Sequence, residues 1–491
     1  MVSSLRRYSR FLPASAKSSK RATRPAGSTD PVLLTGLATG AERERRPRTA
    51  LLFSARIDAV QSGSRSIVLS YAEAVSVVAE EARRVKDGEA LRSERVALRD
   101  AAGRVLARAI DADRDQPPFP RSTRDGFACR AADLTKPGIR LRVMGLVRAG
   151  EMWMGSRLDA GEAAEIMTGA PVPAGADCVV MVEHVIAEGG TIQVMPGREP
   201  ASGENIVPEG AEARAGAVVV PAGVRMGPAQ IAAAAACGVT QPEVFARPRV
   251  AILATGDELV EAEEQPQAWQ IRNSNSWSLA AQVMTRGGEP VGLHPSAPTP
   301  CAPGTPVLPI VPDDPEATRR AIESAMGCEL ILLTGGVSMG RFDFVEQALL
   351  ALDAEFLFTG VKIQPGRPVV FGRLPGAKGK QYFFGLPGNP LSTMVTFALF
   401  AAPMLAALSG ENRHEPAFGM ARLAEEIVVK PGLTRFLPAR REGSVDGTVV
   451  RRMAWQGSGD LASAAAADCF VAVREDAERM QAGEPVTTLL I

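Results

Sequence analysis

Leu330-Ile331-Leu332-Leu333 runs directly into Thr334-Gly335-Gly336-Val337-Ser338-Met339-Gly340, an apolar stretch followed by a glycine-rich turn. The run has the length and character of a buried strand, so the turn lies at the edge of a sheet. Gly335 and Gly336 have no Cβ, which lets backbone N–H groups approach a phosphate or another oxyanion. Glycine turns after strands are mostly plain connections, and this one gains meaning only from its neighbours.

Those neighbours alternate strand and helix. Val250 to Ala254 reads as a short buried strand, and Ser274 to Arg286 as a helix with Leu279, Val283 and Met284 on one face before Gly287. Asp314 is placed to cap a helix whose first residue is Pro315. Tyr382 to Phe384 reads as a further strand, and a helix follows from Pro390, with Pro403 a candidate kink. The pattern predicts an α/β multidomain protein with a three-layer α/β domain over residues 249–410, its sheet largely parallel. Ligands in such sheets sit beyond the carboxyl ends of the strands.

Three more loops fall at strand ends in this region. Thr255-Gly256-Asp257-Glu258 presents two carboxylates from a turn, which suits Mg²⁺ shared with phosphate oxygens; a helix start carrying favourable acids is the plainer alternative. Gln364-Pro365-Gly366-Arg367-Pro368 pairs a rigid turn with a cation, and Lys362 lies two residues before Gln364, on the same face of an extended chain. Leu386-Pro387-Gly388-Asn389-Pro390-Leu391-Ser392 leads from a strand into a helix, whose first N–H groups favour an anion. Together the four loops predict one composite anion site on a sheet edge.

The flanking sequence has other textures. Residues 1–66 carry 13 Lys or Arg against four acids and read as a basic tail outside the fold; the first 24 residues contain no acid and have the composition of a transit peptide. Ser70-Tyr71-Ala72-Glu73 is a capping box opening a helix along Ala74, Val75, Val78, Ala82 and Val85, and a second helical pattern spans Asp100 to Arg108. Residues 67–120 and 206–248 form the expected helical linker domain, closing with an alanine-rich helix from Pro228 to Cys237 capped by Gly238. Residues 121–205 read as a small β domain with strands near 141–146, 164–167, 178–182 and 191–195. Residues 416–491 return to β character and predict a terminal barrel or sandwich.

Bulk properties exclude several classes. The 491 residues carry 55 basic and 55 acidic side chains, so net charge gives no support for nucleic-acid binding. Six scattered cysteines without a CxxC pair and three dispersed histidines argue against a zinc site or a disulfide framework. The apolar runs are broken by Pro and Gly, which predicts no membrane helix and a cytoplasmic protein.

The ordered set of motifs resembles the molybdopterin molybdenumtransferase family, which includes MoeA and the E domain of gephyrin. The resemblance covers residues 67–491 and rests on Ser122-Thr123-Arg124-Asp125-Gly126-Phe127-Ala128, Ile166-Met167-Thr168-Gly169-Ala170-Pro171-Val172-Pro173, Gly203-Glu204-Asn205-Ile206, the four loops above, and Gly457-Ser458-Gly459-Asp460. It implies a MoaB/Mog-like α/β domain and a C-terminal β barrel. The implied reaction is insertion of molybdate into adenylylated molybdopterin with release of AMP, assisted by Mg²⁺. It also implies a homodimer in which the Asp125 segment reaches the neighbouring subunit's α/β site, and a molybdopterin adenylyltransferase as a partner.

Site roles follow from the resemblance one residue at a time. Asp257, Asp125 and Thr168 match functional positions, and Lys362 and Arg367 would offset the repulsion between two anionic substrates. Asp257 and Glu258, with Glu209 nearby, are the expected metal carboxylates. Gly335, Gly336, Ser338, Pro365, Gly366, Pro387, Gly388, Asn389, Ser392 and Ser458 would hold the pterin and its phosphate, with either Asp313 or Asp314 as an acid preceding a helix. Three departures stand out. Ala211 occupies a position where a carboxylate is expected, with Glu209 and Glu212 flanking it. Gln364 replaces a lysine or arginine, and the arginines around Gly432 to Arg440 are displaced. Two other functions fit parts of the pattern: a pterin adenylyltransferase, which would be a much shorter chain, and a non-catalytic scaffold.

Overall fold

The computed structural model describes residues 67–88, 91–135, 138–291, 310–336, 344–376 and 379–491. The basic tail and Ser338 lie outside the described residues, as does Cys301.

Ser70 starts helix α1 (Tyr71–Asp87) through a reciprocal capping box: the Glu73 N–H donates to Ser70 Oγ, and the Ser70 N–H donates to Glu73 Oε2 at 2.8 Å. Its apolar stripe buries Ala74, Val77, Val78 and Ala82. The same inward face carries Glu81, which is buried with Arg373; Arg373 Nη1 and the Tyr382 hydroxyl each donate to Glu81 Oε2 at 3.2 Å. Arg373 also pairs with Glu355, so three charges and a phenol tie α1 to the sheet behind it.

The helix expected over Asp100 to Arg108 does not form. Only a single 3-10 turn, Leu98–Asp100, is present, and Gly103 at φ +74° turns the chain out of it. Val105 and Leu106 instead bridge to Arg225 and Val244 as extended backbone. Val105 is β-branched and both residues are buried, so tertiary pairing overrides the local helical spacing.

A six-stranded sheet follows, built from β1 (Gly126–Cys129), β2 (Arg140–Val147), β3 (Glu162–Ile166), β4 (Cys178–Met181), β5 (Val185–Glu188) and β6 (Thr191–Val194), in the order β4-β1-β3-β2-β6-β5. Cys129 and Cys178 face each other across β1 and β4 with their sulfurs 3.8 Å apart, and all five described cysteines are free and buried. Helix α2 (Pro228–Ala236) starts on Pro228 and ends where Gly238 adopts φ +72°.

The central sheet contains β7 (Arg249–Thr255), β8 (Glu289–Val291), β9 (Ile310–Val311), β10 (Leu330–Thr334), β11 (Glu355–Phe358), β12 (Val370–Gly376) and β13 (Gly379–Leu386). Its order is β8-β7-β10-β13-β12-β11, with β9 also on β7. The pairs from β8 to β13 are parallel, and β12 and β11 add an antiparallel edge. Ala251, Leu253, Ile331, Leu333 and Phe383 pack one face against Ile322 and Ala325 of α4 (Pro315–Ala325) and Val345, Ala348 and Leu349 of α5 (Phe344–Ala351). Helix α3 (Asn275–Thr285) packs against β7 and against the helical rod that starts at Pro390.

That rod, Pro390–Leu408, is α-helical except for a π-helical stretch at Phe397–Ala401, just before Pro403. The wider turn accommodates the N–H that Pro403 lacks, where a kink was expected. Its hydropathy of 1.9 and its length suit a membrane span, yet 83% of it is buried in the protein's own core. The C-terminal strands β14 (Phe418–Leu423), β15 (Thr434–Ser444), β16 (Gly447–Arg452), β17 (Cys469–Val473) and β18 (Pro485–Leu490) close into a barrel, because β15 pairs with both β16 and β17 and the ring continues through β18 and β14.

Candidate functional site

Parallel pairing places the ends of β7, β9, β10 and β13 at one sheet edge, carrying the TGDE turn, Asp313, the Gly335-Gly336 turn and the LPGNP loop respectively. The Pro365-Gly366-Arg367-Pro368 loop precedes a strand. It joins the same edge because β12 runs antiparallel to β13, with Val370 opposite Gly385.

The floor is backbone. Gly335 at φ +90° sits so close to β7 that a Cβ there would lie 2.4 Å from the Thr255 carbonyl oxygen, and one on Gly336 would lie 2.9 Å from Thr255 Oγ1. Gly388 faces Gly335 across the next strand, and the Gly335 N–H donates to the Leu386 carbonyl at 3.3 Å. Gly366, at φ +105°, would place a Cβ 2.4 Å from Thr396 Cγ2 in the rod. No side chain fits at Gly335, Gly336 or Gly366 without displacing its neighbours.

Asn275, at the start of α3, locks two of the loops together. Its Nδ2 donates to Thr334 Oγ1 at 2.9 Å and to the Gly388 carbonyl at 2.7 Å. The Thr334 hydroxyl also lies 3.4 Å from the Pro387 carbonyl. Asn275 Oδ1 and Thr255 Oγ1 are buried and lack hydrogen-bond partners among the described residues. Each such orphan costs about 1–3 kcal/mol, which marks the floor as built for something other than its own stability. Neither residue was singled out from sequence. The polar triplet Asn273-Ser274-Asn275 before an amphipathic helix was the available signal.

The acids divide into one pair, Asp257 and Asp313, and four that stand apart from it. The Asp313 N–H donates to Asp257 Oδ1 at 3.1 Å, and the Asp257 N–H faces Asp313 Oδ2 at 3.5 Å. Desolvation, with repulsion from Asp257, pushes the Asp313 carboxyl up, against the opposing effect of the Asp257 N–H. Asp314 is taken as the N-cap of α4, accepting from the Ala317 N–H at 2.7 Å. Of the two acids, Asp313 faces Asp257, whereas Asp314 caps the helix. Glu258 folds back over Gly256. Glu209 is exposed in the turn after Ile206–Val207, and Glu212 is held by Arg121 at 2.6 Å. No group of three or more His, Cys, Asp or Glu side chains gathers as a metal cage among the described residues. Asp257, Glu258 and Glu209 therefore do not form a closed ligand set within one chain, because Glu209 sits on the segment paired to β-bridge residues around Gln116 and Arg121.

The cations project from the opposite side of the edge. Lys362 and Arg367 are exposed, and the Val361 N–H donates to the Arg367 carbonyl at 2.9 Å to close their hairpin. Gln364 pairs in register with Arg435 of the barrel, and Arg435 Nε donates to Gln364 Oε1 at 2.9 Å. A guanidinium thus arrives by side-chain contact where the sequence lacks a cation. Asn389 Nδ2 donates to Ser458 Oγ at 2.9 Å, joining the LPGNP loop to the GSGD loop. Ser392 is buried behind Pro390. On the six-stranded sheet, the Thr168 N–H and Oγ1 both donate to Asp125 Oδ1, at 2.6 and 2.8 Å, and hold its carboxyl below the usual range.

Comparison with known families gives this arrangement a place. Residues 69–238 match the MoeA N-terminal region (domain I and II), residues 305–407 a probable molybdopterin binding domain, and residues 420–491 the MoeA C-terminal region (domain IV). The chain is 32% identical over 401 residues to the molybdopterin molybdenumtransferase of Staphylococcus aureus (strain COL), covering 80% of this chain and 90% of that protein. The chain belongs to the molybdopterin molybdenumtransferase family. A second relative of that name, from Nostoc sp., is 34% identical over 341 residues, 68% of this chain and 74% of its own. The crystal structure of the molybdopterin biosynthesis moeA protein from Pyrococcus horikoshii OT3 superposes with a TM-score of 0.67 at 30% identity, covering 86% of this chain and all of that one. The mixed α/β sheet and closed barrel described above are those of a MoeA-like multidomain protein.

Proposed function

We propose that this transferase inserts molybdenum into molybdopterin at the composite sheet edge, taking adenylylated molybdopterin and molybdate and releasing AMP. The observation that carries the site assignment is the Asp257–Asp313 pair, set at the same edge as the side-chain-free floor of Gly335, Gly336 and Gly388.

Both substrates are anionic, so their approach must be offset by positive charge and oriented N–H groups. Lys362 and Arg367 supply charge, with Arg435 adding a third cation through Gln364. The glycine floor supplies close backbone approach for the pterin phosphate. Asp257 and Asp313 are adjacent hard-oxygen donors whose mutual repulsion favours a divalent cation, so the residues present fit Mg²⁺. When bound, Mg²⁺ would neutralise charge on the adenylate phosphate being cleaved. Asp125, oriented by Thr168, is proposed to serve the site of the neighbouring subunit in a cytoplasmic homodimer, with Glu209 on the same flank. Residues 67–120 with 206–248, 121–205, 249–410 and 416–491 are the proposed domains, and a molybdopterin adenylyltransferase the proposed supplier of substrate.

The test is release of AMP from adenylylated molybdopterin by the full chain with molybdate and Mg²⁺, followed by detection of metal-loaded pterin. A folded protein that releases no AMP under these conditions would sink the reading.

A further inference from the structure

Asn275 and Thr255 carry more than a structural role. Asn275 spends both Nδ2 hydrogens on Thr334 Oγ1 and the Gly388 carbonyl. The Gly388 carbonyl can only accept, so the orientation of the amide is fixed, and Oδ1 is left facing away from both partners. Thr255 is 5% exposed, and its hydroxyl is likewise unpartnered among the described residues. The two residues share one floor: Thr255 lies beneath Gly335 and Gly336, Gly335 touches Gly388, and Asn275 holds Gly388.

Two buried oxygens without partners among the described residues, an amide oxygen that only accepts and a hydroxyl that accepts or donates, are held in place by a saturated amide and a rigid strand. They form a preorganised receptor for a polar ligand edge that includes a hydrogen-bond donor. A phosphate or molybdate oxygen cannot satisfy Asn275 Oδ1, because both would be acceptors. We propose that Asn275 Oδ1 accepts from an N–H or O–H donor of the adenylylated pterin while the adjacent Thr255 hydroxyl makes a second hydrogen bond to the same substrate, and that the pair so sets which end of the substrate lies on the floor. This deepens the transferase reading and rests on it. Two parts of the substrate carry that chemistry: the N–H edge of the pterin ring and the hydroxyls of the adenosine ribose.

Thr255→Val is the sharpest probe, because it removes an oxygen that no protein group uses while conserving shape. Because it removes a buried unpartnered hydroxyl, it should keep or raise the melting temperature, and it should raise KM for adenylylated molybdopterin about 3–10-fold, the range for one net hydrogen bond, with kcat within about twofold. Thr255→Ser retains the oxygen and should restore KM. Asn275→Ala removes the acceptor and the loop clamp together, so it should raise KM and lower the melting temperature. Equilibrium binding of AMP and of adenylate-free molybdopterin to the wild-type and Thr255→Val proteins separates the sources: weaker AMP binding assigns the ribose, and weaker pterin binding assigns the ring. An unchanged KM in Thr255→Val, or equal losses in the Val and Ser variants, overturns the proposal. If the wild-type protein releases no AMP, the transferase reading fails instead, and equal binding of both probes by wild type and Thr255→Val overturns this one separately.

Discussion

Asp257 and Asp313 come from the ends of two neighbouring parallel strands, and each carboxylate faces the other's backbone N–H, at 3.1 Å for Asp257 Oδ1 and 3.5 Å for Asp313 Oδ2. Crossed in this way, the two turns hold two negative charges side by side, and desolvation raises the Asp313 carboxyl further. Mg²⁺ should therefore raise the melting temperature of the wild-type protein, since a ligand that binds only the folded state stabilises it. Asp257→Asn should abolish that increment and slow AMP release by about 100-fold or more, the scale for losing one electrostatic stabiliser. Thermal melts with and without Mg²⁺ check the first outcome; wild-type turnover from the variant would make Asp257 merely structural.

Asp125 offers a pH test. The Thr168 N–H and hydroxyl depress its carboxyl, so its folded value lies below the unfolded one. The stability this contributes is present above the unfolded value and is lost as pH falls through the folded one. Thr168→Val removes the hydroxyl donor and keeps the N–H, so the Asp125 titration should move upward, toward the ordinary aspartate range. Carboxyl NMR titration of both proteins reads it directly, and an unmoved midpoint would mean that the 2.8 Å contact contributes nothing in solution.

The four strand-end loops were legible because glycine and proline punctuation after apolar runs is local. Their convergence was legible for a partly different reason than expected: three follow parallel strands, whereas the Pro365–Pro368 loop reaches the edge because β12 is antiparallel. The α1 capping box was equally local and forms as read. Asp100 to Arg108 misled because helical spacing there competes with bridges to Arg225 and Val244, partners more than a hundred residues away. Asn275 drew no notice, and Thr255 and Arg435 stood in quoted motifs without their structural roles being legible, for the same reason. Each acquires its meaning from a neighbour distant in sequence, namely Gly388, Gly335 and Gln364.

The Glu81–Arg373 pair predicts a large stability effect away from the site. Both side chains are nearly inaccessible, at 3% and 7% exposure, and the neighbouring Tyr382 hydroxyl is pushed up to about 12 by burial and by Glu81. Without Arg373, Glu81 keeps a half-exposed cation, Arg84, whose Nη1 donates to Oε1 at 2.9 Å, so breaking the buried pair leaves its charge partly uncompensated. Arg373→Met should cost about 3–5 kcal/mol, and the double variant with Glu81→Leu should recover part of the loss. Urea unfolding of the three variants and wild type measures the coupling; an Arg373→Met variant within about 1 kcal/mol of wild type would show that Arg84 is enough to compensate Glu81.

Whether Asp125 serves its own subunit or the neighbour's is decided by mixing two dead variants. Asp125→Ala spoils the contribution of the six-stranded sheet, and Asp257→Ala that of the central sheet. In a shared-site homodimer, a mixed dimer contains one site with both substitutions and one with neither. Random exchange of equal amounts makes half of the dimers mixed, so AMP release should recover to about a quarter of the wild-type rate from near zero in either parent. If the site were built within one chain, every subunit would carry a lesion and mixing would restore nothing. Denaturation and joint refolding of the two variants, with a self-mixed control for each, supplies the measurement, and the absence of recovery from a properly exchanged mixture would place Asp125 outside the neighbouring subunit's site.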